Sequence, residues 1–218
     1  MVRILNDGLN ERLERRALTR RLEILRAAGR TFRRLGFVDA GMREIAMEAD
    51  LSPGNLYYYF TGKDEILFFC QDRSLDAMLE SLAAATRCAE SSAEKLHRVV
   101  IAHLRVLLDE LEGSTAHLEI NSLPAELREK LVEKRDRYER GIRRLISTGV
   151  RGGEFAPCDP KLVTRAILGA LNWTALWYRS DGTRSVTSVA GSFASYLVRG
   201  LVAETPMDRS KTRRGGSE

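Results

Sequence analysis

Between positions 51 and 60 the chain reads Leu51-Ser52-Pro53-Gly54-Asn55-Leu56-Tyr57-Tyr58-Tyr59-Phe60, a run whose side chains suit the edges and backbone of a DNA duplex. An asparagine amide can hydrogen-bond adenine N6 and N7 together, which assigns Asn55 to a base edge. Gly54 would let the backbone approach the groove floor, and the Pro53 ring can meet a thymine methyl. Tyr57 and Tyr58 can lay their rings on sugar and donate their hydroxyls to phosphate. The same residues encode a helix. Proline has no N–H and suits a first turn, where that donor would be unpaired. Ser52 just before it can cap the same end. Leu56 and Phe60, four apart, share one face and can turn to a core together. Three consecutive tyrosines span about 200° of helix, so at least one of them is expected to be structural.

A second constellation lies near the other end, in Leu171-Asn172-Trp173-Thr174-Ala175-Leu176-Trp177-Tyr178-Arg179. Trp173 and Trp177 lie one helical turn apart and can wall an apolar cleft, with Arg179 placed for an anionic headgroup. The same residues suit a plain helix–helix core with a solvated arginine, and both readings stand. His103, on an apolar stripe, and Tyr138, beside Arg135 and Arg137, complete the candidate ligand-binding set. Cys70, Cys88 and Cys158 are odd in number and share no close spacing, as expected of reduced thiols in a cytoplasmic protein. They form no metal-like cluster with His97, His103 and His117. No Ser-His-Asp order, glycine-rich phosphate loop or paired metal ligands occur with usable spacing. No enzyme activity, metal or cofactor is expected.

These residues need rigid elements to position them, and the pattern is helical throughout. The chain has 218 residues, 44% hydrophobic and 30% charged, which describes a folded globular protein. The net charge of +5 permits a nucleic-acid partner without proving one. Between Arg20 and Lys63 eight basic residues face five acidic ones, so affinity for DNA must come from placement of charge. A first helix opens near Arg20 and carries Leu25, Ala28, Phe32 and Leu35 on one stripe, with Arg26, Arg30, Arg33 and Arg34 on a solvated face. Residues 1–19, dense in arginine, are expected to form a basic arm that follows the DNA backbone, enters the minor groove or binds nothing specific.

From Lys63 a long helix is expected to reach about Cys88. Ser91-Ser92-Ala93-Glu94 reads as a capping box opening a helix that ends near Gly113. A short piece follows from His117 to Leu123. Pro124 starts a helix to about Val150, which Gly152-Gly153 breaks; Asp159-Pro160 opens the next, to about Arg179. The last runs from Ser185 to about Val202. Windows 166–178 and 185–198 carry no charge, yet each is shorter than the ~20 residues a membrane helix needs. The first is apolar nearly all round, which implies burial on two sides. Packing between two copies of the chain explains this economically, with Ala170, Trp173, Ala190, Gly191 and Ala194 in the seam. Residues 205–218 have too little apolar surface to fold.

The segment from Arg20 through Met42-Arg43-Glu44-Ile45-Ala46 to Lys63-Asp64-Glu65-Ile66-Leu67 resembles the DNA-binding domain of the TetR family of regulators. The resemblance implies an all-α protein: a three-helix helix-turn-helix head at 20–66 and a ligand-binding and dimerisation bundle at 67–204. It places Met42 and Arg43 at the start of the first motif helix, where the family presents a side chain to bases. Lys63 opens the next helix, where the macrodipole disfavours a cation, so a phosphate is expected beside it. Gly41 and Thr61-Gly62 depart from the Ser or Thr and the Pro-Ser common there. Partners implied are a palindromic double-stranded operator, a second copy of the chain, and a small hydrophobic effector, with no membrane. The 171–182 segment is similar to that of members responding to acyl-CoA thioesters. The alternative is control of drug efflux by cationic or planar compounds, which carboxylates inside the pocket would favour.

Overall fold

The computed structural model describes the backbone at residues 2–110, 120–179 and 181–203, with side chains at 15–108, 120–179 and 181–203. Eight α-helices make up these segments: α1 (Val2–Asp39), α2 (Met42–Glu48), α3 (Pro53–Tyr59), α4 (Lys63–Arg87), α5 (Ser92–Arg105), α6 (Ala125–Arg151), α7 (Pro160–Trp177) and α8 (Val186–Arg199). A π-helical turn, Val106–Glu110, extends α5, and a 3₁₀ turn, Ile120–Ser122, precedes α6. The expected end of α5 near Gly113, the start of the short piece at His117 and the tail at 205–218 lie outside the described residues.

Residues 2–19 are helical and run unbroken into α1, so the expected arm is an extension of the first helix. That helix ends through one glycine. Gly36 sits at φ 79°, ψ 160°, a region that side chains with a Cβ rarely enter. The chain then turns so that Phe37 packs on Phe32, with ring centroids 5.2 Å apart. Lys63, at the start of α4, points its ammonium at the carbonyls of Phe37, Val38 and Ala40, at 2.8, 2.9 and 3.2 Å. A lysine has three N–H donors, and here each faces a carbonyl that the ended helix leaves unpaired.

Two cores follow. The first gathers Ile24, Leu25, Phe32, Ile45, Leu56, Phe60, Ile66, Leu67 and Leu75, with Leu123 and Leu131 beside them. The second gathers Met78, Leu82, Leu96, Val100, Leu104, Ile142, Ile146, Leu171, Val189 and Ala194. α4 and α6 each supply residues to both, so the expected border at 66/67 falls inside one continuous helix. Lys134 of α6 ties these two helices together through Asp72 and Asp76 of α4, at 2.5 and 2.7 Å. Cys70 is buried, and burial pushes its thiol up to about 12, which keeps it protonated and inert.

Helix starts follow the residues that signalled them. Ser91 and Glu94 form the reciprocal box at α5, each side chain accepting from the other's backbone N–H. The Glu154 carboxylate adds bonds from the Ser92 and Ala93 N–H groups, at 2.6 and 3.3 Å. Asp159 caps α7 and Ser185 caps α8. Gly149 makes room for Phe155, whose ring lies 2.3 Å from where a Cβ would stand. Phe155 then pairs with Val202 in a single antiparallel bridge, closing the α6–α7 loop on the end of α8.

Candidate nucleic-acid interface and ligand cavities

α2 and α3 form two short helices around a turn centred on Asp50, the only described non-glycine residue with positive φ, at 52°. The Leu51 N–H bonds to the Ala46 carbonyl at 2.9 Å and the Asp50 N–H to that of Met47 at 3.2 Å. This is a Schellman ending with aspartate in the left-handed place, which Asp tolerates better than most residues. Leu51 folds back onto the first core. α3 starts as its residues require: Pro53 occupies the first turn, and Ser52 Oγ accepts from the Asn55 N–H at 3.2 Å. Gly41 cannot cap α2 with a side chain, and Glu44 compensates by accepting from the Gly41 N–H at 3.1 Å.

With Leu56 and Phe60 fully buried, α3 turns Ser52, Pro53, Gly54, Asn55, Tyr57 and Tyr58 outward. Tyr58 is 84% exposed. A Cβ on Gly54 would meet nothing within 4 Å, so its missing side chain serves no contact inside the protein. Tyr59 is the structural member of the trio, half-buried and edge-on to Tyr58. Arg43 is exposed on α2 with no ion pair among the described residues. Met47, one turn on, is exposed on the same face, an apolar neighbour that the sequence reading passed over. Met42 is half-buried, packed in part against the first core.

Lys63, expected at a phosphate, has close partners within the chain. Its ammonium closes the end of α1 and lies 4.8 Å from the Phe37 ring centroid, so the side chain assigned to a phosphate is engaged within the protein. The arginines of α1 divide likewise. Arg30 and Arg34 pair with Glu48 of α2, at 2.7 and 3.8 Å, and are not a purely solvated face. Arg21 donates to the Tyr59 carbonyl at 3.3 Å and lies over the rings of Phe60 and Phe69. Sequence periodicity could not reveal these roles, because each partner is distant in the chain.

In the bundle, the ligand candidates separate into two groups. Trp173 is 64% exposed, Trp177 stacks on Phe193 at the surface, and Arg179 is held by Asp181 through two 3.1 Å bonds. None of the three lines the cleft or the groove described below. They stand near the outer face of α7, where Leu162, Ala166, Gly169, Trp173 and Leu176 form one exposed stripe. Ala170 is half-buried beside it and Gly191 of α8 has open space before it. Ala190 and Ala194, expected in the seam between copies, are both 0% exposed within the single chain, turned inward where α8 packs along α5. Their small size serves that inner contact.

His103 and Tyr138 do meet, in a cleft of about 190 Å³ that Arg135, Asp136, Glu139 and Asn172 also line. His103 Nδ1 lies 3.2 Å from the Tyr138 hydroxyl and Nε2 lies 3.3 Å from Asn172 Oδ1. Burial holds the imidazole down at about 4 and pushes the phenol up, so both are neutral near pH 7. The amide oxygen can only accept, so Nε2 carries the proton and Nδ1 accepts from the tyrosine. A wider groove of about 640 Å³ opens between α4, α5 and α6. Its cationic lining is Lys95, Arg137 and Arg144, of which only Arg137 stands in the sequence beside another candidate, Tyr138.

Comparison with known proteins matches both halves. Residues 24–68 match the model of bacterial regulatory proteins of the tetR family, and residues 89–201 match that of a tetracyclin repressor-like C-terminal domain. The fatty acid metabolism regulator protein of Bacillus subtilis is 24% identical over 183 residues, 83% of this chain and 94% of its own. The crystal structure of PfmR from Thermus thermophilus, a TetR family transcriptional regulator, is 31% identical with a TM-score of 0.74, covering 83% of this chain and 99% of that one. AibR, solved in complex with isovaleryl coenzyme A and operator DNA, shares the fold at a TM-score of 0.68 and 21% identity, covering 82% and 98%.

Proposed function

Because the chain belongs to the TetR family of bacterial regulatory proteins, a family of DNA-binding transcriptional regulators and not of enzymes, we propose that it is a homodimeric repressor which an acyl-CoA thioester releases from a palindromic operator. The observation that carries the DNA half is α3: six outward residues, Ser52 to Asn55 with Tyr57 and Tyr58, on a helix whose other face is locked in a core. Asn55 reads an adenine edge, Arg43 a guanine O6 and N7, and the tyrosines hold phosphates. Two such heads, one or more DNA turns (~34–36 Å) apart, read two half-sites of a palindrome. The second copy packs on the exposed stripe of α7 and the Gly191 side of α8. A chain with this role works in the cytoplasm, and among the described residues no helix is long and apolar enough to cross a membrane.

The effector class is supported by two relatives, one a fatty acid metabolism regulator protein and the other, AibR, solved with isovaleryl coenzyme A and operator DNA. Release requires that the ligand bind better to the conformation whose heads do not match the half-site spacing; equal affinity for both would shift nothing. A second reading, sensing of cationic drugs, draws on Asp136 and Glu139 in the small cleft. That cleft is below the roughly 300 Å³ at which drug-sized sites begin, and Arg135 offsets the carboxylates. The test is direct. An operator selected from a random duplex pool is bound by the protein, then titrated with oleoyl-CoA, isovaleryl-CoA, free coenzyme A and rhodamine 6G. Release by a thioester is the expected result; release by the dye alone replaces this reading with the efflux one.

A further inference from the structure

We infer that the groove between α4, α5 and α6 is a binding site for an amphipathic anion, whose phosphate or carboxylate meets Lys95, Arg137 and Arg144 while its hydrocarbon lies on Leu79, Leu82, Ala83 and Leu145. The inference deepens the effector reading above and rests on it. The groove's volume of about 640 Å³ falls within the range of small-molecule sites, unlike the cleft at His103.

Its lining is asymmetric in charge: three cations and no carboxylate. Lys95 and Arg144 have no ion pair among the described residues. Arg137 has one, with Glu133 one turn away at 3.4 Å, and exposed pairs of that kind are weak enough for a ligand anion to displace. The remaining polar groups of the lining are already satisfied. Thr86 donates to the Leu82 carbonyl at 3.0 Å, Thr148 to that of Arg144 at 2.9 Å, and Ser92 to Glu154 at 3.0 Å. The start of α5 is likewise occupied by the Glu154 carboxylate. What the groove leaves unmatched is positive charge above an apolar floor, the inverse of a long-chain anion.

The floor exists because Gly141 has no side chain. A Cβ there would stand 2.3 Å from Leu82 Cδ2, so α6 closes on α4 at that point and the groove opens beyond it. The α4 wall of the groove belongs to the helix that also completes the reading-head core, so an occupant acts on the head through one continuous element.

Binding is measured calorimetrically on the full chain with oleoyl-CoA, oleate and free coenzyme A. The variants are the charge-reversing pair Lys95→Glu with Arg144→Glu, Ala83→Trp to fill the groove from an exposed position, and Arg144→Lys as the conservative rescue. Arg184→Ala, an exposed position outside the groove lining, is the control. The charge-reversed and filled variants should each weaken oleoyl-CoA by at least about tenfold, the loss expected for charge-assisted contacts. Arg144→Lys and Arg184→Ala should stay within about twofold. Binding of oleate alone, lost in the same variants, upholds the groove and removes the thioester. Undiminished binding in both groove variants overturns the site and leaves the repressor reading standing. Failure of the wild-type chain to bind either long-chain anion also overturns it.

Discussion

Two basic residues twenty positions apart, Arg43 and Lys63, differ in their surroundings: the first is exposed, the second hydrogen-bonded within the chain. Arg43 stands exposed, so Arg43→Ala should leave the melting temperature unchanged and lower the preference for operator over random DNA by about tenfold, since a bidentate guanine contact contributes ~1–3 kcal/mol. Lys63→Ala strands three carbonyls and should cost about 1–2 kcal/mol of stability, seen in urea unfolding. A Lys63 variant of unchanged stability with weakened DNA binding would return that residue to the phosphate role. His103 adds a pH dependence. Its folded value, about 4, lies below the ordinary 6.5, so between these limits the unfolded chain binds more protons. Stability is therefore full above pH 6.5 and falls as pH drops toward 4, by about 2 kcal/mol between pH 7 and 5. The melting temperature should follow, and His103→Gln should remove that part of the slope.

At the scale of elements, the junction of α1 with the motif depends on a backbone conformation and not on a contact. Gly36 has open space where a Cβ would be, so Gly36→Ala introduces no clash. The variant should still be destabilised by about 1–3 kcal/mol, because φ 79° with ψ 160° is open almost solely to glycine. Denaturant midpoints would measure this. A loss under half a kcal/mol would mean that the turn has another conformation close in energy. Phe37 and the three carbonyls on Lys63 depend on the same turn, so the loss should exceed that of Lys63→Ala.

The whole molecule joins the α1–α3 head to a bundle through α4 and α6, and the pairing proposed above would use α7 and α8. The single chain leaves Trp173, Leu176 and Tyr196 exposed, large apolar groups that an association face would cover. Gly191→Arg places a charge in that seam without touching the protomer's interior and should give folded monomers by sedimentation. Ala194→Arg is the contrasting case. Ala194 is enclosed within its own chain, so the variant should unfold the protomer and not merely divide the pair. A Gly191→Arg dimer of unchanged strength would move the interface to another face.

Local signals determined much of this protein. Ser52-Pro53, the Ser91/Glu94 box, Asp159-Pro160 and Ser185 placed helix starts to within a residue or two, because each is a bond between neighbours in the chain. The spacing of Leu56 and Phe60 decided which side of α3 faces outward, by the period of the helix alone. What only the tertiary structure decided are pairings across long separations. Lys63 faces α1 because that helix ends beside it, which no local pattern encodes. Small residues at 190 and 194 signalled close approach, but whether to α5 or to another copy depends on the packing of the whole bundle. The groove of Lys95, Arg137 and Arg144 draws on helices separated by some forty residues. Charge in a sequence carries a sign and a position along the chain; its partners follow from the fold.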